Sequence, residues 1–212
     1  MIEVDIVDDI DPIANLADRA VYVVTSDDDE EFYPEYQDAT DLVFFDLNAD
    51  TDNLNLVFDD GTGSDFNDYD STDALTWIFD NRNYIDEDDF LDWQDSSVDY
   101  NDEGSYITFD QTEFATDADF TTGDLADKEE GRAYIPTTCE TTTCRVHVVF
   151  HEAGVSPTVL AEDKGYNLLG ALNDIIMLYP ATVAWDMQGT NGKTKNGEVI
   201  KMVKAMIDRL TG

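Results

Sequence analysis

Residues 165–180 read Gly-Tyr-Asn-Leu-Leu-Gly-Ala-Leu-Asn-Asp-Ile-Ile-Met-Leu-Tyr-Pro, and this stretch decides the fold. Tyr166–Leu172 carries good helix formers at helical spacing, Asn173-Asp174 is a turn pair, and Ile175–Tyr179 is an unbroken apolar run stopped by Pro180. Helix, two-residue turn and buried strand in sequence are the signature of an α/β layer. Upstream, Arg145–Phe150 (RVHVVF) is the most strand-like segment of the chain. Downstream, Val199, Ile200, Val203, Met206, Ile207 and Leu210 form one apolar stripe, with Lys201, Lys204 and Arg209 opposite, which predicts a core-packed helix. Strands alternating with helices predict an α/β fold with largely parallel strands.

Earlier segments fit the same architecture. Ala20–Thr25, Asp41–Phe45 and Leu54–Phe58 read as short apolar strands, and Ser71–Phe79 as a helix with Leu75, Ile78 and Phe79 on one face. Ser105–Phe109 and Arg132–Ile135 read as a small hairpin or edge layer. No internal repeat is visible, and 212 residues suffice for one domain with a sizeable core, so the expectation is a single domain over 1–212.

Charge divides that domain. Residues 1–130 hold 41 acidic side chains against Arg19, Arg82 and Lys128, whereas residues 131–212 hold eight of each sign. The whole net charge of -38 therefore sits in the first part. Such an excess repels nucleic acid and anionic membrane, which excludes both as partners, and no apolar run reaches membrane-spanning length. A solvated face kept soluble by self-repulsion explains the charge more economically than a halophilic or mineral-facing surface, since a halophile would be acidic throughout. Asp46, Asn48 and Asp50 occupy the first three positions of a calcium loop, but Thr51 replaces its glycine and Val57 its closing glutamate. Loosely bound cations are expected, a specific metal site is not, and nothing in the sequence calls for a cofactor.

Cys139 and Cys144 are separated by Glu-Thr-Thr-Thr just ahead of the RVHVVF strand. The spacing is neither that of a zinc site nor the redox C-x-x-C, and a small structural disulfide is favoured over two free thiols in a loop. A disulfide points to an oxidising, secreted setting, although the N-terminus shows no basic segment followed by an apolar stretch.

Hydrolytic chemistry is hard to assemble. Gly63-Ser64-Asp65 lacks the following glycine of a nucleophile elbow, and Gly154-Val155-Ser156 runs into Pro157. The two histidines, His147 and His151, are four apart in a β-rich run, so strand alternation predicts that both imidazoles face the same way. With Glu152 beside them they resemble a helical zinc motif only superficially. A packing or active-site-rim role is favoured.

Taken together, GRAYIPTTC (131–139), CRVHVVFHEAG (144–154), DKGYNLLGALNDIIMLYPA (163–181) and the closing WDMQGTNGKTKNGEVIKMVKAMIDRL (185–210) resemble the extracellular polyhydroxybutyrate depolymerases. More weakly, DPIANLADRAVYVVTSDDD (11–29) and YDSTDALTWIFDN (69–81) extend the resemblance through most of the chain. The resemblance implies a circularly permuted α/β-hydrolase fold, a serine esterase ancestry, an aliphatic polyester or apolar polymer as partner, and an extracellular setting. In that frame the chain begins after the serine half. By position in its strand-loop Asp29 matches the family's triad aspartate, with Asp27 and Asp28 beside it as alternatives. The family's histidine loop falls near 59–66, where Gly63 or Ser64 takes the histidine's place. His151, Glu152 and Ala153 match the His-Gly-Cys turn whose backbone helps bind the oxyanion. Ala153 and Ala184 both stand where the family has cysteines expected to bond each other, so one disulfide is lost as a pair while Cys139 and Cys144 remain. With no serine elbow and no histidine in place, the family's chemistry is expected to be absent from this chain. Trp77, Trp93 and Trp185 could contact a polymer, although partly buried core positions are the commoner fate of tryptophan.

Overall fold

The computed structural model describes residues 19–26, 54–59, 71–81, 84–85, 90–92, 97–114, 130–151, 156–181 and 197–212. They fall into two compact units, one within residues 11–90 and one essentially within 91–212.

In the first unit, β1 (Val21–Ser26) and β2 (Leu54–Asp59) pair in parallel, from Val21 opposite Leu54 to Ser26 opposite Asp59. Helix α1 (Ser71–Asn81) buries Ala74, Leu75 and Phe79 along one face; of the expected Leu75, Ile78 and Phe79, Ile78 is only half-buried. Trp77 leans on Tyr22 of β1 with ring centroids 5.9 Å apart. Phe79 anchors the chain beyond the helix through edge-on contacts with Tyr84 and Phe90 at 5.9 and 6.0 Å. The expected strand at 41–45 lies outside the described residues.

The second unit holds a four-stranded sheet in the order β3-β4-β6-β5 (Gly104–Asp110, Glu130–Pro136, Ile175–Tyr179, Arg145–Val148). A four-residue helix, α2 (Tyr100–Glu103), feeds into β3. The β3–β4 and β4–β6 ladders are antiparallel and the β5–β6 ladder is parallel. The sheet is thus mixed, not largely parallel as expected. Among the described residues of this sheet, β5 and β6 alone are joined by a helical crossover, the kind of connection that neighbouring parallel strands need. The pair Ser105–Phe109 and Arg132–Ile135 is antiparallel as read, but β4 lies inside the sheet, between β3 and β6.

Register sorts the side chains onto two faces. Tyr106, Arg132, Tyr134, Met177, Tyr179 and His147 share one face; Ile107, Phe109, Ala133, Leu178, Val146 and Val148 share the other. Helix α3 (Tyr166–Asn173) covers the first face and α4 (Glu198–Thr211) the second. Because a helix lies on each side, all five residues of β6 are buried, which is why its sequence is apolar without alternation. On the α4 side Ala133 and Leu178 pack against Met202 and Met206, with Phe109, Ile135 and Val146 at the margin. The buried face of α4 is rotated from the predicted stripe: Met202 is fully buried and Ile200 is 45% exposed. At about 100° per residue, Ile200 lies well round the helix from the Met202–Met206 line.

The α3-to-β6 turn is tight. Asp174 takes a left-handed conformation (φ 53°, ψ 46°), and its N–H caps Gly170. Asn173 holds the turn against Leu91, its Oδ1 accepting from Leu91 N at 2.8 Å and its Nδ2 donating to Leu91 O at 3.0 Å. Gly170 lets α3 sit directly on the sheet: a Cβ there would lie 2.7 Å from the Ile175 carbonyl and 3.1 Å from Met177 Cγ. Gly170→Ala is therefore expected to destabilise the second unit by about 1–3 kcal/mol, despite alanine's better helix propensity. Urea denaturation of the variant checks this.

Candidate functional site

In open α/β sheets ligands bind beyond the carboxyl ends of the strands. Here those ends belong to the parallel pair β5 and β6. Strand β5 stops at Val148, two residues short of the prediction, although Val149 N still donates to Leu178 O at 2.8 Å. Phe150 then turns out to 59% exposure and His151 turns in, to 7%. The strand ends before His151, so alternation does not relate the two imidazoles.

His147 lies within β5, in register with Met177, and stacks flat on Tyr166 of α3, with centroids 5.7 Å apart and planes 15° apart. Burial alone pushes its pKa down to about 4, so it is neutral at physiological pH. A neutral imidazole stacked on a phenol between strand and helix is a packing element, in line with the sequence expectation.

At the end of β6 the chain is clamped by a residue that sequence reading did not single out. Gln111, fully buried, donates from Nε2 to Ala181 O (2.5 Å) and accepts at Oε1 from Ala181 N (3.1 Å). This pair of bonds replaces a ladder for a segment leaving the sheet, and satisfies both backbone polar groups of the buried Ala181.

Between these two ends lies a layer of tyrosines on the α3 face. Tyr179 Oη donates to Asn167 Oδ1 at 2.8 Å, and Tyr134 Oη donates to the Tyr100 carbonyl at 2.8 Å. Tyr100 meets Tyr134 edge-on at 5.7 Å, Tyr106 meets Tyr179 at 6.1 Å, and the Arg132 guanidinium lies 5.7 Å from the Tyr106 ring centre. Burial raises the pKa of Tyr100, Tyr106, Tyr134 and Tyr179, and the Glu162 carboxylate adds to the rise at Tyr100 and Tyr106. These phenols stay protonated at any physiological pH. They are hydrogen-bond donors, not bases or nucleophiles.

The Cys139–Cys144 pair is a disulfide, as expected. It closes the short helical turn Thr137–Glu140 between β4 and β5, the two strands flanking β6. Loop closure over so few residues predicts that replacing both cysteines by alanine costs about 2 kcal/mol, measurable as a lowered melting temperature.

The other sequence-derived site residues lie outside the described residues: Asp29, Glu152, Ala153, all of 60–66 in the expected histidine loop, Ala184 to Asp186, and Trp93. Of the matched oxyanion turn, only His151 is placed. Among the described residues no three of His, Cys, Asp and Glu gather as a metal would require, and no helix is long and apolar enough to cross a membrane.

No protein-family model matches the chain. It is 35% identical over 124 residues to a poly(3-hydroxybutyrate) depolymerase of Delftia acidovorans, a match covering 51% of this chain and 24% of that protein. Its fold is shared with the crystal structure of a PHB depolymerase from Penicillium funiculosum (TM-score 0.71, 19% identity, 94% of this chain and 73% of that one). It is shared equally with a PHB depolymerase complexed with an R3HB trimer (TM-score 0.72, 19% identity, 95% and 73%). The resemblance read from the sequence therefore holds: over about half of its length the chain is similar in sequence to a poly(3-hydroxybutyrate) depolymerase, of which it spans about a quarter, and it shares the α/β fold of the depolymerase structures.

Proposed function

We propose that this depolymerase relative keeps the fold and the polyester-facing ancestry of its family without performing the ester hydrolysis by itself. The observation that carries the reading is the fate of its histidines. The chain has two, and neither lies in the stretch 59–66 where the family resemblance asks for the catalytic one. His147 is stacked on Tyr166 and held neutral by burial, and His151 is buried at the end of β5, in the turn matched to oxyanion binding. A triad needs a histidine bonded both to a serine and to an orienting carboxylate. Asp29, as the matched aspartate, lacks the family's histidine at 59–66. The absence of a Gly-x-Ser-x-Gly elbow in these residues supports the same conclusion.

On this reading the chain is a single depolymerase-like domain that works outside the cell as a binding protein, with the disulfide as support for an oxidising setting. Its ligand class is an aliphatic hydroxyacid polyester, the chemistry held by the structurally similar depolymerase that carries an R3HB trimer. Its acidic part would attract only loosely held cations. Co-sedimentation with poly(3-hydroxybutyrate) granules at raised salt tests the binding function. Saturable retention, competed by soluble hydroxybutyrate trimer, is expected. Retention no greater than on polystyrene beads contradicts it.

A further inference from the structure

We propose that the outer edge of β3 is a docking strand for an extended peptide of another protein that has an apolar centre and basic residues at both ends. The inference is independent of the polyester reading. Among the described residues β3 pairs with β4 alone, along all seven residues from Gly104 to Asp110. Among the described residues no strand pairs with its other edge, and Ser105, Ile107 and Thr108 are exposed, Ile107 to 39%. Proteins normally blunt such an edge with lysine, proline or an inward charge, and the core of this strand, Ser-Tyr-Ile-Thr-Phe, has none of them. Beside the edge, on the α4 side, opens a recess of about 190 Å³ whose walls include Ile107, Phe109, Phe114 and Leu210. An added strand would continue the Ile107–Phe109 face and place alternate apolar side chains over this recess.

Charge selects the occupant. Asp99, Asp102 and Glu103 stand at one end of β3, and Asp110 and Glu113 at the other. Asp99 and Asp110 are each locked by local hydrogen bonds, to Asn101 and Thr112 respectively, which holds both carboxylates ionised. A second copy would dock poorly. An antiparallel pair centred on Ile107 sets Asp110 of one copy beside the Gly104 end of the other, next to Glu103, acid against acid. A strand with lysine or arginine at each end meets the opposite charge at both ends, and a net charge of -38 steers it in.

The test uses the intact chain and three fluorescein-labelled peptides, KKTVTVTKK, KKTVTPTKK and EETVTVTEE, read by anisotropy at physiological salt. The first should bind saturably and the third should not. The proline peptide, with the same charge but one backbone donor fewer, should bind about tenfold more weakly or worse. Ile107→Lys, with unchanged circular dichroism as the control for folding, should weaken the first peptide to a similar degree. Equal binding of KKTVTVTKK and KKTVTPTKK would reduce the attraction to charge alone and overturn the proposal. So would no binding, or a dimer of the chain that Ile107→Lys abolishes.

Discussion

Leu178→Ala is expected to lower the stability of the second unit by about 3–4 kcal/mol, the largest loss predicted for a single side chain here. Leu178 is fully buried in the middle of β6, the strand flanked by β4 and β5, and points at the α4 layer. Its side chain meets Ala133, Met202 and Met206, so truncation leaves a void against one small residue and two flexible ones. Methionines can partly close such a void, which keeps the expected cost below the upper limit for a buried leucine. The matching control is Ile200→Ala on α4. Ile200 is 45% exposed, and its truncation should change stability by no more than about 0.5 kcal/mol. Urea denaturation of both variants measures the difference. A similar loss at Ile200 would mean that the apolar stripe drawn from the sequence, not the Met202–Met206 line, is the packed face.

Acidification should cost the second unit about 3 kcal/mol through His147 alone. The unfolded chain takes up the imidazole proton near the ordinary 6.5, whereas in the folded state burial delays uptake to about 4. The stabilising preference is therefore complete above pH 6.5 and is lost as the pH falls from there toward 4. Desolvation is the whole cause. Two other acidic-range effects lie apart from it. The carboxylates of Asp99 and Asp110 are held below their ordinary 3.8, so their titration falls lower. Protonation of the many remaining carboxylates relieves self-repulsion and works in the opposite direction. His147→Phe isolates the effect by keeping a flat ring against Tyr166 without a titrating nitrogen. Between pH 7 and pH 4 the wild type should lose about 3 kcal/mol more than this variant. Parallel curves would place His147 in contact with water.

What the sequence made legible was local and apolar. Residues 166–179 could be read as helix, turn and strand because each element is specified by its own residues, and the turn pair Asn173-Asp174 falls where the left-handed residue is needed. Pairing was harder. Arg132–Ile135 read as part of a hairpin or edge layer, yet the Arg132 guanidinium lies over the Tyr106 ring and Gly131 leaves room for Phe109, so the strand can lie inside the sheet. The shared-face reading of His147 and His151 failed for a simple reason. It assumed a strand through residue 151, and β5 ends at Val148. Met202 lay outside the apolar stripe read from the sequence, yet it faces the core, while its neighbour Lys201 reaches to Glu198 at 2.8 Å. The Gln111 clamp and the Asn167–Tyr179 bond had no sequence signal at all. Each depends on a partner brought close by the fold, 70 and 12 residues away respectively. The resemblance to depolymerases supplied what periodicity could not, an overall fold that similar structures share across more than nine-tenths of the chain.

Whether this chain hydrolyses esters decides between an enzyme and a binding protein. The measurement is release of 3-hydroxybutyrate from the hydroxybutyrate trimer, and of p-nitrophenol from a short-chain ester, by the purified chain and by its Asp29→Asn variant. Rates at the buffer background for both proteins are expected, since a missing triad histidine removes several orders of magnitude of rate enhancement. Hydrolysis by the wild type that Asp29→Asn abolishes would contradict the account and would mean that a nucleophile and a base act together with Asp29 in this chain.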